Sequence, residues 1–206
     1  MNARPGKIVC VGRNYADHAR EHGAAVPSEP LLFLKPPSSI IGDGERIELP
    51  DASNQVEHEG EIGVLIGARL RRASESEAAQ AVSGVCAVND VTARDLQRSD
   101  AQWTRAKGFD TFCPMGSIAA GTTNFDALTV VTRVNGEERQ RGQGSDMVFP
   151  VPRLLSYISH IMTLEPGDLV ATGTPAGVGR LAPGDLVEVE VIGLSVVRNL
   201  VVGSSR

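Results

Sequence analysis

The chain has 206 residues, 41% of them hydrophobic and 22% charged, and its 20 Lys+Arg against 25 Asp+Glu leave a net charge of −5. That composition describes one soluble domain, 1–206, able to bury a core without disulfides or a structural metal, so that a metal here would be functional. The acidic balance, with no basic run longer than Arg71-Arg72, argues against nucleic acid and anionic membrane as partners. Apolar stretches are too short to span a bilayer, which leaves small molecules as the expected partners.

Residues 7–12, KIVCVG, form a short apolar strand, and Asn14 then caps a helix that runs to Gly23. The opening MNARPGKIVCVG resembles neither a signal peptide nor a transit peptide, so a cytoplasmic location is expected. LLFLKP and RIELP are short strands, and 56–67, VEHEGEIGVLIG, is a longer one with a period of two. Ser74 and Glu77 make a capping box for a helix over 74–82, followed by the strand GVCAVNDV. A short helix over 92–100 leads into a long ordered loop, 103–121. Asn135-Gly136 marks a hairpin, and a helix covers 153–162 just inside Pro152. Pro-Gly turns at 166–167 and 183–184 precede two more strands, and 194–202 supplies the last one. Only 4% of the residues are aromatic while Gly numbers 22 and Pro 12, so the class is mainly β with a few helices. Cys10, Cys86 and Cys113 lack any zinc or redox spacing and read as small buried hydrophobes.

Three constellations carry chemistry. Alternation along 56–61 puts Glu57, Glu59 and Glu61 on one face, with His58 and Gly60 on the other. Because the chain turns apolar at once, these acids enter the core and need a cation or protons, unless the face is simply solvated. Asp90 stands at the end of the next apolar strand. Glu59, Glu61 and Asp90 would make an all-oxygen site suited to Mg²⁺ or Mn²⁺ and open to a chelating 2-oxo acid. His18 and Glu21, three apart on a helix, form either a proton-moving dyad or an ordinary surface pair. His22 and His160 carry no comparable role. Lys35, Arg94, Lys107 and Thr174 are donors that could meet carboxylates or enolates, or be plain surface and salt-bridge residues.

In order across residues 10–179, CVGRNYADHAREHG, PLLFLKP, HEGEIGVLIG, NDVTARDLQ, AKGFDTFCPMG and TGTPAGVG closely resemble the fumarylacetoacetate hydrolase family, above all its short single-domain acylpyruvases and oxaloacetate decarboxylases. The resemblance implies a β-roll of mixed sheets with peripheral helices and a lid helix near the N-terminus, usually as a homodimer. It implies that Glu59, Glu61 and Asp90 bind Mg²⁺ or Mn²⁺, that His18 and Glu21 form the lid dyad, and that Lys107 stands beside the metal. Arg13, Lys35, Arg94, Gln97 and Thr174 would hold substrate, and Gly60 would tolerate larger apolar residues without disturbing the ligand face. The expected activity is cleavage of a 2,4-dioxo acid such as an acylpyruvate or fumarylpyruvate to pyruvate and a carboxylate. Oxaloacetate decarboxylation, tautomerisation or isomerisation of 2-hydroxyhepta-2,4-diene-1,7-dioate type is the alternative, and a non-catalytic 2-oxo-acid binding protein a second one.

Overall fold

The computed structural model describes residues 5–21, 23, 25–121 and 124–204. His22 lies outside them. Six strands form one mixed sheet in the order Ala119–Ala120, Val82–Asn89, Gly60–Ile66, Leu169–Ala171, Ile8–Gly12, Leu31–Lys35. Only the pair between Ile8–Gly12 and Leu169–Ala171 is parallel. A second sheet orders Glu137–Gln143, Thr129–Val134, Leu186–Val191, Ser195–Val202 and Arg46–Glu48, opened by the Asn135-Gly136 hairpin, in which both residues have positive φ.

Period-two patterning explains how the first sheet is covered on both sides. Val9 and Val11 point into the main core, which they share with Val64, Val170, Val189 and Leu155 of the helix Val151–Ile161. Ile8 and Cys10 face a smaller cluster with Cys86, Cys113 and Leu169. All three cysteines are buried and free, and burial pushes Cys86 and Cys113 up to about 12, as expected of thiols used as hydrophobes.

Several elements depart from their expected form. The strand expected over 56–67 is two strands, Val56–His58 and Gly60–Ile66, broken at Glu59. The first joins a separate three-stranded sheet with Gly179–Arg180 and Thr92–Ala93. Glu59 therefore sits where the chain passes between two sheets. The 103–121 segment contains the helix Thr104–Lys107, and the helix over 92–100 shortens to Arg94–Ser99. Asn14 does not cap: its side chain donates to Thr172 O (2.8 Å) and Phe149 O (3.2 Å) and accepts from Phe149 N, and the helix begins at Ala16, described as Ala16–Glu21. The capping box of Ser74 and Glu77 is present on Glu75–Gln80. Among the described residues no helix is long and apolar enough to cross a membrane.

Candidate active site

One cavity of about 480 Å³ opens beside the break at Glu59. Its floor holds Glu59, Glu61 and Asp90, all buried, with ligand oxygens within 4.8 Å of one another. Glu59 comes from the strand break, Glu61 from the second residue of Gly60–Ile66, and Asp90 from the end of Val82–Asn89, which pairs directly with that strand. Strand register thus brings three acids from two neighbouring segments to one point.

Three cations are folded in with them. Lys107 Nζ bridges Glu59 (2.8 Å) and Asp90 (2.7 Å), Lys35 Nζ reaches the other oxygen of Asp90 (2.7 Å), and Arg94 spans Glu59 and Glu57. Burial alone would raise the Glu59 carboxyl, but Lys107 and Arg94 outweigh it and hold Glu59 below the ordinary range. Burial lowers Lys107, and the charges of Asp90 and Glu59 reverse this, so its ammonium stays charged. Glu61 is different. Burial, with Asp90 and Glu59 adding repulsion, pushes its carboxyl well above the ordinary range, against Lys107 and a 2.8 Å hydrogen bond from Gly173 N. Gly173 can present that N–H because it holds φ +101°, and a Cβ there would meet Asn14 Cβ at 2.7 Å. A buried carboxylate short of positive charge, beside two others, fits a divalent cation with oxygen ligands. The residues present therefore suit the metal that the sequence suggests.

His18 and Glu21 reach the cavity from the short helix Ala16–Glu21, with Nδ1 to Oε2 at 3.6 Å. Glu21 also accepts from Gly177 N at 3.1 and 3.3 Å, which docks the helix onto the 174–179 loop. Arg13, Arg94, Gln97, Lys107 and Thr174 line the same space. Lys35 does not. Its fully buried ammonium sits behind Asp90, bound also to Val91 O, so it supports a carboxylate and does not touch the cavity. Thr174 lines the wall, but its hydroxyl proton is committed to Gly60 O at 2.9 Å.

Other residues belong to the site without having been singled out by sequence. Arg98 lines the cavity, and Phe33 and Trp103 form an edge-to-face aromatic wall. On the other side Gln140 lies behind Gly60 and Thr174, buried in the alternating strand Glu137–Gln143. Its oxygen accepts from Gly60 N (3.0 Å) and faces His58 Nδ1 (3.0 Å), while its nitrogen donates to Thr174 Oγ1 (2.7 Å) and Pro175 O (2.8 Å). One amide thus fastens the acidic strand to the 174–179 loop; the only sequence signal was an inward-facing Gln in a polar alternation. Gly60 is also more constrained than expected. A Cβ there would lie 1.8 Å from Thr132 Oγ1, so a larger residue requires the Thr132 side chain or the strand to shift.

The fumarylacetoacetate (FAA) hydrolase C-terminal family matches residues 7–202. A relative named mitochondrial oxaloacetate tautomerase FAHD1, from Arabidopsis thaliana, is 47% identical over 198 residues, covering 93% of this chain and 89% of that protein. The structure of a 5-carboxymethyl-2-hydroxymuconate delta-isomerase from Mycobacterium smegmatis matches with TM-score 0.91 and 42% identity over 98% of this chain and 81% of that one. A 2-hydroxyhepta-2,4-diene-1,7-dioate isomerase from Mycobacterium marinum matches with TM-score 0.90 and 40% identity over 98% and 77%. With its acids, donors and β-rich sheets in this arrangement, the chain belongs to the fumarylacetoacetate hydrolase family.

Proposed function

We propose that this protein is a divalent-metal-dependent enzyme that interconverts the keto and enol forms of a 2-oxo dicarboxylic acid, with oxaloacetate the first substrate to test. The observation that carries it is the meeting of Glu59, Glu61 and Asp90 with Lys107, Arg94 and His18 around one cavity. The relatives named above are tautomerases and isomerases, which favours this reading over the C–C hydrolysis that the motifs first suggest. Glu59, Glu61 and Asp90 would hold Mg²⁺ or Mn²⁺, whose contribution when bound is Lewis-acid polarisation of the 2-oxo carboxylate.

The chain's own groups do the remaining work. Arg94 and Lys107 place fixed positive charge where negative charge develops on the keto oxygen as a proton leaves the adjacent carbon. His18 takes that C–H proton and returns one to the oxygen, and Glu21 keeps the imidazole turned into the cavity. Loss of such a base typically costs about 10²–10⁴-fold in rate. His18→Ala should therefore slow turnover by that order while keeping metal-dependent thermal stabilisation; full activity in His18→Ala would remove the dyad from the reaction.

A second reading, hydrolysis of an acylpyruvate, is supported by the same His18–Glu21 geometry, which equally suits removing a proton from water. Parallel assays with Mg²⁺ or EDTA separate the two. Metal-dependent equilibration of oxaloacetate enol without pyruvate release supports tautomerisation. Consumption of acetylpyruvate with pyruvate release supports hydrolysis, and pyruvate from oxaloacetate alone supports decarboxylation.

A further inference from the structure

We propose that Arg13 and Arg98 form a second carboxylate subsite at the cavity mouth, which selects dicarboxylic over monocarboxylic 2-oxo acids. This rests on the reading of the cavity as a metal-assisted 2-oxo-acid site. Three observations carry it. First, the other cations around the floor are already spent: Arg94, Lys107 and Lys35 each bind a carboxylate of the protein. Arg13 and Arg98 line the same cavity, are exposed, and among the described residues neither pairs with a carboxylate. Arg98 is steered only by a neutral group, the Gln55 oxygen, while Gln55 is itself held by Glu57. An arginine anchored by an amide keeps its charge and most of its donors available for a bidentate anion.

Second, Arg13 has φ +59°, the left-handed region that a residue with a Cβ rarely adopts. It stands between Gly12, packed against the Trp103 ring, and the buried bracket Asn14. From that backbone position the side chain lines the cavity while staying exposed, and such local strain concentrates at functional positions.

Third, the charges match a dianion. Glu21 and the three floor acids face Arg13, Arg94, Arg98 and Lys107, so the lining is balanced. Behind it, Lys35 and Glu57 offset each other. A divalent cation adds two positive charges, and a dicarboxylate restores neutrality where a monocarboxylate leaves one charge uncompensated. The Phe33–Trp103 wall supplies apolar surface for the short carbon chain between the two carboxylates.

The test uses two stable acids of equal length, 2-oxoglutarate and 2-oxopentanoate, which differ by a terminal carboxylate against a methyl. Calorimetric dissociation constants are measured with Mg²⁺ for wild type, Arg13→Gln, Arg98→Gln and the double variant. We expect wild type to prefer 2-oxoglutarate, each single change to weaken it about 5-fold and the double change about 20-fold, with 2-oxopentanoate shifted less than 2-fold. Both arginines are exposed, so the fold should survive, and an unchanged Mg²⁺-dependent thermal shift checks this. Parallel weakening of both acids, or no weakening of either, would overturn the subsite. Failure of oxaloacetate to turn over in wild type, with the arginine-dependent preference intact, would instead overturn the proposed reaction and leave the subsite standing.

Discussion

Two charge networks in this molecule use the same chemistry and come to opposite ends. On the five-stranded sheet, Arg133 bridges Glu188 and Glu190, and Arg198 binds Glu188, with side chains 21–50% exposed. At the cavity, Glu57, Arg94, Glu59, Lys107, Asp90 and Lys35 form a chain of pairs in which no side chain is more than 9% exposed. Water can replace any partner in the first network and none in the second. Pairing therefore says little about function. What marks the cavity is burial together with Glu61, an acid beyond what the buried cations neutralise.

The largest expected contrast comes from breaking one pair in each network. Lys35→Met leaves Asp90 sharing Lys107 with Glu59, one buried negative charge in excess across that network, and should cost about 3–5 kcal/mol in urea unfolding, against below about 1 kcal/mol for Arg133→Ala. Equal costs would end the distinction. Next, Glu61→Gln should abolish Mg²⁺-dependent stabilisation, about 2.7 kcal/mol at a hundred times the dissociation constant, whereas Glu188→Gln should leave it intact. A retained thermal shift in Glu61→Gln would move the metal elsewhere. The smallest effect is the pH response of the outer network. Partial burial alone would raise the Glu188 carboxyl, but hydrogen bonds from Arg133 and Arg198, with their charges, outweigh it and lower the group from 4.5. Its contribution is thus complete above about pH 4.5, fades as acid protonates it, and is small because the site is wet. Wild type and Glu188→Gln should converge in stability below that pH and diverge by less than about 1 kcal/mol above it.

Much of this was legible because it is local. Alternation placed the acids on one face and His58 and Gly60 on the other, and the side chains follow it. The Asn135-Gly136 hairpin, the Ser74 cap and the buried thiols were readable for the same reason. The break at Glu59 was not, because nothing in VEHEGEIG signals that two different sheets claim its halves. Lys35 could not be told from a cavity lysine, since whether it faces Asp90 or solvent is settled by strand order. Gln140 and Asn14 escaped because their partners lie 34 to 158 residues away in sequence.

The Gln140 amide makes one side of the site a single mechanical unit. All four of its contacts are taken, two on each polar atom, so neither a flipped amide nor an acid would satisfy His58, Gly60, Thr174 and Pro175 together. The acidic strand and the 174–179 loop, onto which Glu21 also docks, must then change as a unit or not at all. Among the described residues, Arg13, Arg98 and Trp103 on the opposite wall make no hydrogen bond to Gln140. If the proposed reading holds, substitutions at Arg13 and Arg98 should change the choice of acid while metal-dependent stabilisation through the floor acids stays unchanged.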